Sequence, residues 1–115
     1  MTPKFRVEFL EEAVEFLEQI DDKAREKIIY NIRKAQVTND NELFKKLTGQ
    51  IWEFRTLYKN IKYRLFAFWD KSEKTETLVV STHGIIKKTA KIPMADLEKA
   101  ERLRRQYVEQ KSKRK

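Results

Sequence analysis

The sequence contains no cysteine, which excludes a disulfide-stapled module, a thiolate metal centre and a cysteine nucleophile at once. It has a single histidine, so there is no second imidazole for an acid–base pair, and one His with no Cys cannot form the usual transition-metal cages. With two glycines and two prolines in 115 residues, nothing between residues 4 and 110 reads as a linker. No apolar run approaches the ~18 residues of a membrane-spanning helix. The opening stretch MTPKFRVEFLEEAVEF carries acids where a secretory signal needs an apolar core. These absences predict one domain over residues 1–110 and a frayed basic tail at 111–115. They also predict a reducing, cytoplasmic setting with no metal, no small-molecule cofactor and no membrane partner.

Charge is what the chain has in excess. Lys and Arg number 26 against 18 Asp and Glu, a formal net charge of +8. A total of this kind predicts solubility and encounter rates with polyanions, not a particular partner. Its distribution is more informative. Residues 1–40 hold 7 basic and 9 acidic side chains, residues 41–92 hold 11 and 5, and residues 93–115 hold 8 and 4.

Hydrophobic spacing supplies the elements. Residues 4–9 alternate, with Phe5, Val7 and Phe9 on one face of a strand. Leu10, Ala13, Val14, Leu17 and Ile20 follow helical spacing. Asp21 and Asp22 break that pattern and cap a second helix, whose apolar stripe is Ala24, Ile28, Ile32 and Ala35. Residues 51–58, 61–70 and 76–83 are rich in Ile, Val, Thr and aromatics and read as strands joined by short breaks. Pro93 opens a last helix running to about residue 110. The order β-α-α-β-β-β-α predicts an α+β fold: an N-terminal strand, a helical hairpin and a C-terminal helix, with the helices on one face of a mainly antiparallel sheet. The other face of that sheet would then carry Arg55, Lys62 and Arg64, with Lys87, Lys88 and Lys91 just past the last strand. Aromatics interleave with these cations, as in a site for a phosphate chain with base stacking. The plain alternative is a solvated face that discourages edge-to-edge pairing. Arg64 argues against it, because a permanent charge between Tyr63 and Leu65 and beside Phe66 and Phe68 carries a desolvation cost.

Three blocks carry a resemblance: Trp52-Glu53-Phe54-Arg55, Tyr63-Arg64-Leu65-Phe66, and the run from Thr82 through His83-Gly84 and Lys87-Lys88-Thr89 to Lys91-Ile92-Pro93. In this order, ahead of a closing helix, they resemble the phage-derived HigB-like branch of the RelE/ParE toxin superfamily, from about residue 4 to residue 108. The third block is the specific one. Ile85 stands where the branch usually has Phe, and Ala90 and Ile92 are further departures. None removes a charged group, so an altered context preference is expected. The resemblance implies a RelE-like fold and the toxin of a type II toxin–antitoxin pair: a metal-independent endoribonuclease that cleaves mRNA in the ribosomal A site. It also implies a cognate antitoxin, in this branch usually a helix-turn-helix, HigA-like protein. The superfamily offers a second reading, a ParE-like gyrase inhibitor. Charge and aromatics alone would support a third, a non-catalytic nucleic-acid-binding module.

For such cleavage the 2′-OH must lose a proton, the phosphoryl oxygens must be stabilised and the leaving oxygen must gain a proton. Arg55 and Arg64 suit the second task, since a guanidinium fork matches phosphate oxygens. Lys87 and Lys88 are candidates for phosphate contact or proton transfer, with Lys62 and Lys91 on flanking phosphates. His83 has the one side chain that titrates near neutrality unperturbed. The alternative for His83 is a strand-end residue satisfied by backbone groups. Glu53 is the carboxylate nearest the cluster, expected to hold Arg55 or a lysine in place rather than to act as general base. Gly84 is expected to permit a turn that aims the segment 85–91.

Overall fold

The computed structural model describes residues 3–72 and 77–113. The elements are β1 (Arg6–Phe9), α1 (Glu11–Gln19), α2 (Asp22–Val37), β2 (Phe44–Thr48), β3 (Ile51–Tyr58), β4 (Ile61–Asp70), β5 (Leu78–Lys87) and α3 (Met94–Lys113). One five-stranded sheet has the order β1-β5-β4-β3-β2. Three of its four pairings are antiparallel, and β1 lies parallel to β5. The α+β class and the mainly antiparallel sheet match the sequence expectation.

Local chemistry explains the boundaries. The Asp21 carboxylate accepts from the backbone N–H groups of Lys23 and Ala24, capping α2 as its position predicts. Lys59 and Asn60 both have positive φ, which makes the two-residue turn that lets β3 and β4 pair along their length. Strand β2 was not legible in the sequence. It is a five-residue edge strand with exposed Lys45 and Lys46 at its centre, so its only inward anchors are Phe44 and the half-buried Leu47. The expected strand over 76–83 runs instead through Lys87, and residues 73–76 lie outside the described residues.

Gly84 is therefore inside β5, not at a turn, and its φ is not positive. Its role is close approach. A Cβ there would lie 2.7 Å from ring carbons of Phe16 on α1, so the missing side chain lets that helix seat against the strand.

Alternation divides the core into two layers. Phe54, Tyr63, Leu65, Ala67 and Val79 face the helical hairpin and pack with Ala13, Leu17, Ile28 and Ile32. Phe66 and Ile51 face the opposite way, toward Ala100 of α3, as do Phe68 and Val80, toward Tyr107. The placement of all helices on one face is thus corrected: α3 covers part of the second face. The inward-pointing aromatics of β4 require it, because Phe66 and Phe68 on an open face would leave two large apolar side chains in water. Only the end of that face nearest Lys62 and Lys87 stays uncovered by α3.

The far end of α3 is fastened to the sheet. Tyr107 donates to Asp70 at 2.6 Å, Lys111 pairs with the same carboxylate, and the Ser72 N–H donates to its other oxygen. Helix α3 thus continues to Lys113, three residues into the segment expected to fray, while 114 and 115 lie outside the described residues. Burial alone would push the Asp70 carboxyl up; the bonds from Lys111, Tyr107 and Ser72 outweigh it and hold the group well below the usual carboxylate range. Burial and the bond to Asp70 push the Tyr107 hydroxyl up to about 12. Because the folded value for Asp70 lies below the unfolded value of about 3.9, its contribution is full above that pH and is lost as pH falls through the depressed value. Asp70→Asn should cost about 1–3 kcal/mol at neutral pH. Urea unfolding at pH 7 and pH 3 checks this, the gap between wild type and variant narrowing in acid.

Candidate functional site

The uncovered end of the second face is built by β3, β4 and β5. Register places Arg55 opposite Arg64, Leu57 opposite Lys62, Arg64 opposite Ile85, and Lys62 opposite Lys87. Cross-strand partners share a face, so Arg55, Arg64, Lys62 and Lys87 all project from one side of the sheet. Glu53 joins them, two residues before Arg55 on β3.

At the centre lies an ion pair out of water. Arg64 Nε is 3.2 Å from Glu53 Oε1, and both side chains are only 5% exposed. Arg55 Nε is 3.8 Å from Glu53 Oε2, so one carboxylate stands between two guanidinium groups. The exposed Glu42 approaches Arg55 from the rim at 3.9 Å and, being solvated, contributes little. The charges lie close without aligned hydrogen bonds. Glu53 Oε1, Arg55 Nε and Arg64 Nε are all buried with no hydrogen-bond partner, while Arg64 Nη1 donates to the Tyr63 carbonyl at 3.1 Å.

Electrostatics confirm the crowding. Burial lowers the affinity of Arg64 for its proton; Glu53 opposes that shift and Arg55 adds to it. Lys87 is lowered first by burial and then by Arg64, Lys62 and Arg55, with Glu53 acting the other way. Four cations and one carboxylate therefore sense one another across three strands.

The remaining predicted residues are elsewhere. Lys88 and Lys91 are exposed in the irregular segment between β5 and α3. His83 is 3% exposed. It stacks on Phe66, its Nδ1 is 3.1 Å from the Thr82 hydroxyl, and its Nε2 is 3.2 Å from Asp96 on α3. A register shift between Leu65 and Ala67 sets Phe66 against both Thr82 and His83, which turns the imidazole under the start of α3. Burial lowers its proton affinity, partly offset by the bond to Asp96, and its other charged neighbours are Lys99 and Glu12, not the arginines. The structure thus brings together Arg55, Arg64, Glu53, Lys62 and Lys87, and leaves His83, Lys88 and Lys91 outside that group.

Beside the cluster a cleft of about 410 Å³ opens, walled by Arg55, Lys62 and Arg64 on one side and by Lys27, Asn31 and Lys34 of α2 on the other. Sequence reasoning missed the α2 wall. Its signal was the spacing of residues 27, 31 and 34 along one helix face, hidden by the acids of α1 in the same window. Among the described residues, no three His, Asp or Glu side chains are grouped so as to hold a metal ion, and no helix is long and apolar enough to cross a membrane.

Residues 15–105, which include all three motif blocks, match the family described as "Phage derived protein Gp49-like (DUF891)". The chain belongs to the phage-derived Gp49-like family. That family is associated with the RelE-like toxins of toxin–antitoxin systems. No curated protein matches the chain. The buried Arg–Glu–Arg group of this Gp49-like protein is carried by the first two blocks, and the third supplies Lys87 from β5.

Proposed function

We propose that this Gp49-like protein is the toxin of a type II toxin–antitoxin pair, of the HigB-like kind. In this reading it acts in the cytoplasm as an endoribonuclease on mRNA held by the ribosome, and a cognate helix-turn-helix antitoxin restrains it. The observation that carries the reading is the convergence of Arg55, Arg64, Lys62 and Lys87 around the buried Glu53. A buried donor with no acceptor is costly to keep, about 1–3 kcal/mol each. Arg55 Nε and Arg64 Nε are two such donors, one on each oxygen of the Glu53 carboxylate without an aligned bond, and a bound phosphate would give the two guanidinium groups acceptors.

The reaction assigned to the site needs no cofactor. The 2′ oxygen gives its proton to water and forms a bond to the adjacent phosphorus, giving a 2′,3′-cyclic phosphate, while the bond from phosphorus to the 5′ oxygen breaks and that oxygen gains a proton. Arg55 and Arg64 oppose the charge that builds on the equatorial oxygens. Lys87, its proton held less tightly than that of an ordinary lysine, is the candidate donor to the leaving oxygen. Glu53 holds the two guanidinium groups apart and aimed. With His83 sealed under α3, the chain offers no imidazole pair, so the ribosome must supply much of the alignment of the 2′ oxygen.

The test is a defined mRNA incubated with translating ribosomes and the purified protein, with cleavage mapped by primer extension. Cuts confined to the A-site codon are expected, with far slower cleavage of the same RNA free in solution. Equal rates with and without ribosomes would refute ribosome dependence. Intact mRNA with arrested growth would refute the ribonuclease reading and leave the gyrase-directed alternative.

A further inference from the structure

Helices α1 and α2 are opposite in charge. The segment Glu11–Gln19 has four acids and no base, whereas Asp22–Val37 has five bases against two acids. Lys27 and Lys34 of α2 line the cleft beside the arginines, and five of its six charged lining residues are cationic. The cleft exists because β2 is short. It pairs with β3 only as far as Phe54, the Leu43 carbonyl takes the Arg55 N–H, and beyond that point no strand among the described residues lies along this edge of β3. A ligand can thus pass from the arginine face around this edge to the helical face. Asn31 Nδ2 donates to the Thr56 hydroxyl at 3.1 Å in a buried bond that pins α2 across the passage.

Between Lys27 and Lys34 stands Tyr30, 59% exposed. It contributes little to the core, and Lys27 Nζ sits 5.2 Å from its ring centroid. An exposed ring flanked by cations one turn away on each side is a platform for a nucleobase between two phosphate contacts. The two lysines are roughly 10 Å apart along the helix, too far to share a single phosphate. A peptide strand added to the β3 edge would instead need apolar pockets for alternate side chains, and the facing wall is Lys27, Asn31 and Lys34.

We infer that the Lys27–Tyr30–Lys34 flank of α2 is a second subsite for single-stranded RNA, which holds the strand after it leaves the arginine cluster around the free edge of β3. This rests on the endoribonuclease reading and adds the path of the substrate to it.

The experiment uses a short fluorescent RNA, fully 2′-O-methylated so that it binds without being cut, titrated at several salt concentrations. Lys27→Ala/Lys34→Ala should weaken binding and reduce the steepness of log K against log salt by about 1.4, since each phosphate contact on a single strand contributes about 0.7. Tyr30→Ala should weaken binding about tenfold with little change in that slope. Arg102→Ala/Arg105→Ala on the exposed flank of α3 removes the same charge and should leave the slope unchanged. All are exposed helix positions where alanine favours the fold. A Lys27/Lys34 variant that behaves like the α3 control would overturn the inference. So would one that binds RNA normally yet loses affinity for the cognate antitoxin, since the flank would then be a protein-binding surface. Arg64→Ala in the ribosome assay separates the two readings: retained cleavage there defeats the catalytic proposal, whereas unchanged RNA binding by the α2 variants defeats the subsite alone.

Discussion

Arg64→Ala is expected to lower ribosome-dependent mRNA cleavage by about a hundred- to a thousandfold, the usual loss when one preorganised donor to a developing oxyanion is removed. The side chain is held by its ion pair to Glu53 and its bond to the Tyr63 carbonyl, with the like-charged Arg55 beside it. That fixation matters for catalysis, because a donor already in place needs no reorganisation as charge develops. Arg64→Lys should recover little. An ammonium keeps the charge but loses the planar fork, and in this crowded, desolvated position its proton is held weakly. Single-turnover cleavage on saturated ribosomes is the right measurement, since it separates the chemical step from binding. If Arg64→Ala cleaves within threefold of wild type, the assignment of the cluster as the reacting centre is wrong.

Glu53→Ala carries the largest expected effect on stability. Removing one partner of a buried ion pair leaves an uncompensated charge in low dielectric, a loss of about 3–5 kcal/mol. Here the abandoned partner is a 5%-exposed arginine with a second guanidinium beside it. For a domain of this size the corresponding fall in Tm is roughly 10–30 °C. Replacing both members, as in Glu53→Leu/Arg64→Met, should restore most of the lost stability, since well-packed apolar residues often equal or exceed a buried pair. The same double variant should not cleave RNA. Recovered stability without recovered activity is the signature of a pair kept for its chemistry. Glu53→Gln separates positioning from proton transfer. A positioning residue lowers the rate at every pH, whereas a general base takes the acidic limb of the pH–rate profile with it. A Glu53→Ala protein as stable as wild type would show that the carboxylate does not neutralise the two arginines.

Part of the site is legible in the sequence. Strict alternation in β4 put Lys62 and Arg64 on the face opposite Tyr63 and Leu65, and the same rule in β3 grouped Glu53 with Arg55. Strands have period two, so face assignment follows from the sequence once the strand is recognised. The Asp21 cap is equally local. Strand β2 was not legible, because five residues centred on two lysines have no strong periodicity and acquire their conformation from pairing with β3. Gly84 was misread as a turn for a related reason. Its missing side chain answers to Phe16, 68 residues away in the chain, and no local pattern records that approach.

The sequence by itself determined the element types, the α+β class, the sidedness of each long strand and the chemical character of the basic residues. These are consequences of short-range spacing and side-chain chemistry. Tertiary structure alone decided which face each helix covers, and with it the fate of every candidate. Helix α3 closes over Phe66 and Phe68 and seals His83 beneath Asp96, whereas Arg55, Lys62 and Arg64 line the cleft beside α2. The start of β2 at Phe44 leaves the β3 edge beyond Phe54 unpaired, and the packing of α2 sets Lys27 and Lys34 in the cleft beside it. Both outcomes depend on which apolar surfaces, distant in sequence, bury one another, and that choice is made by the whole chain at once.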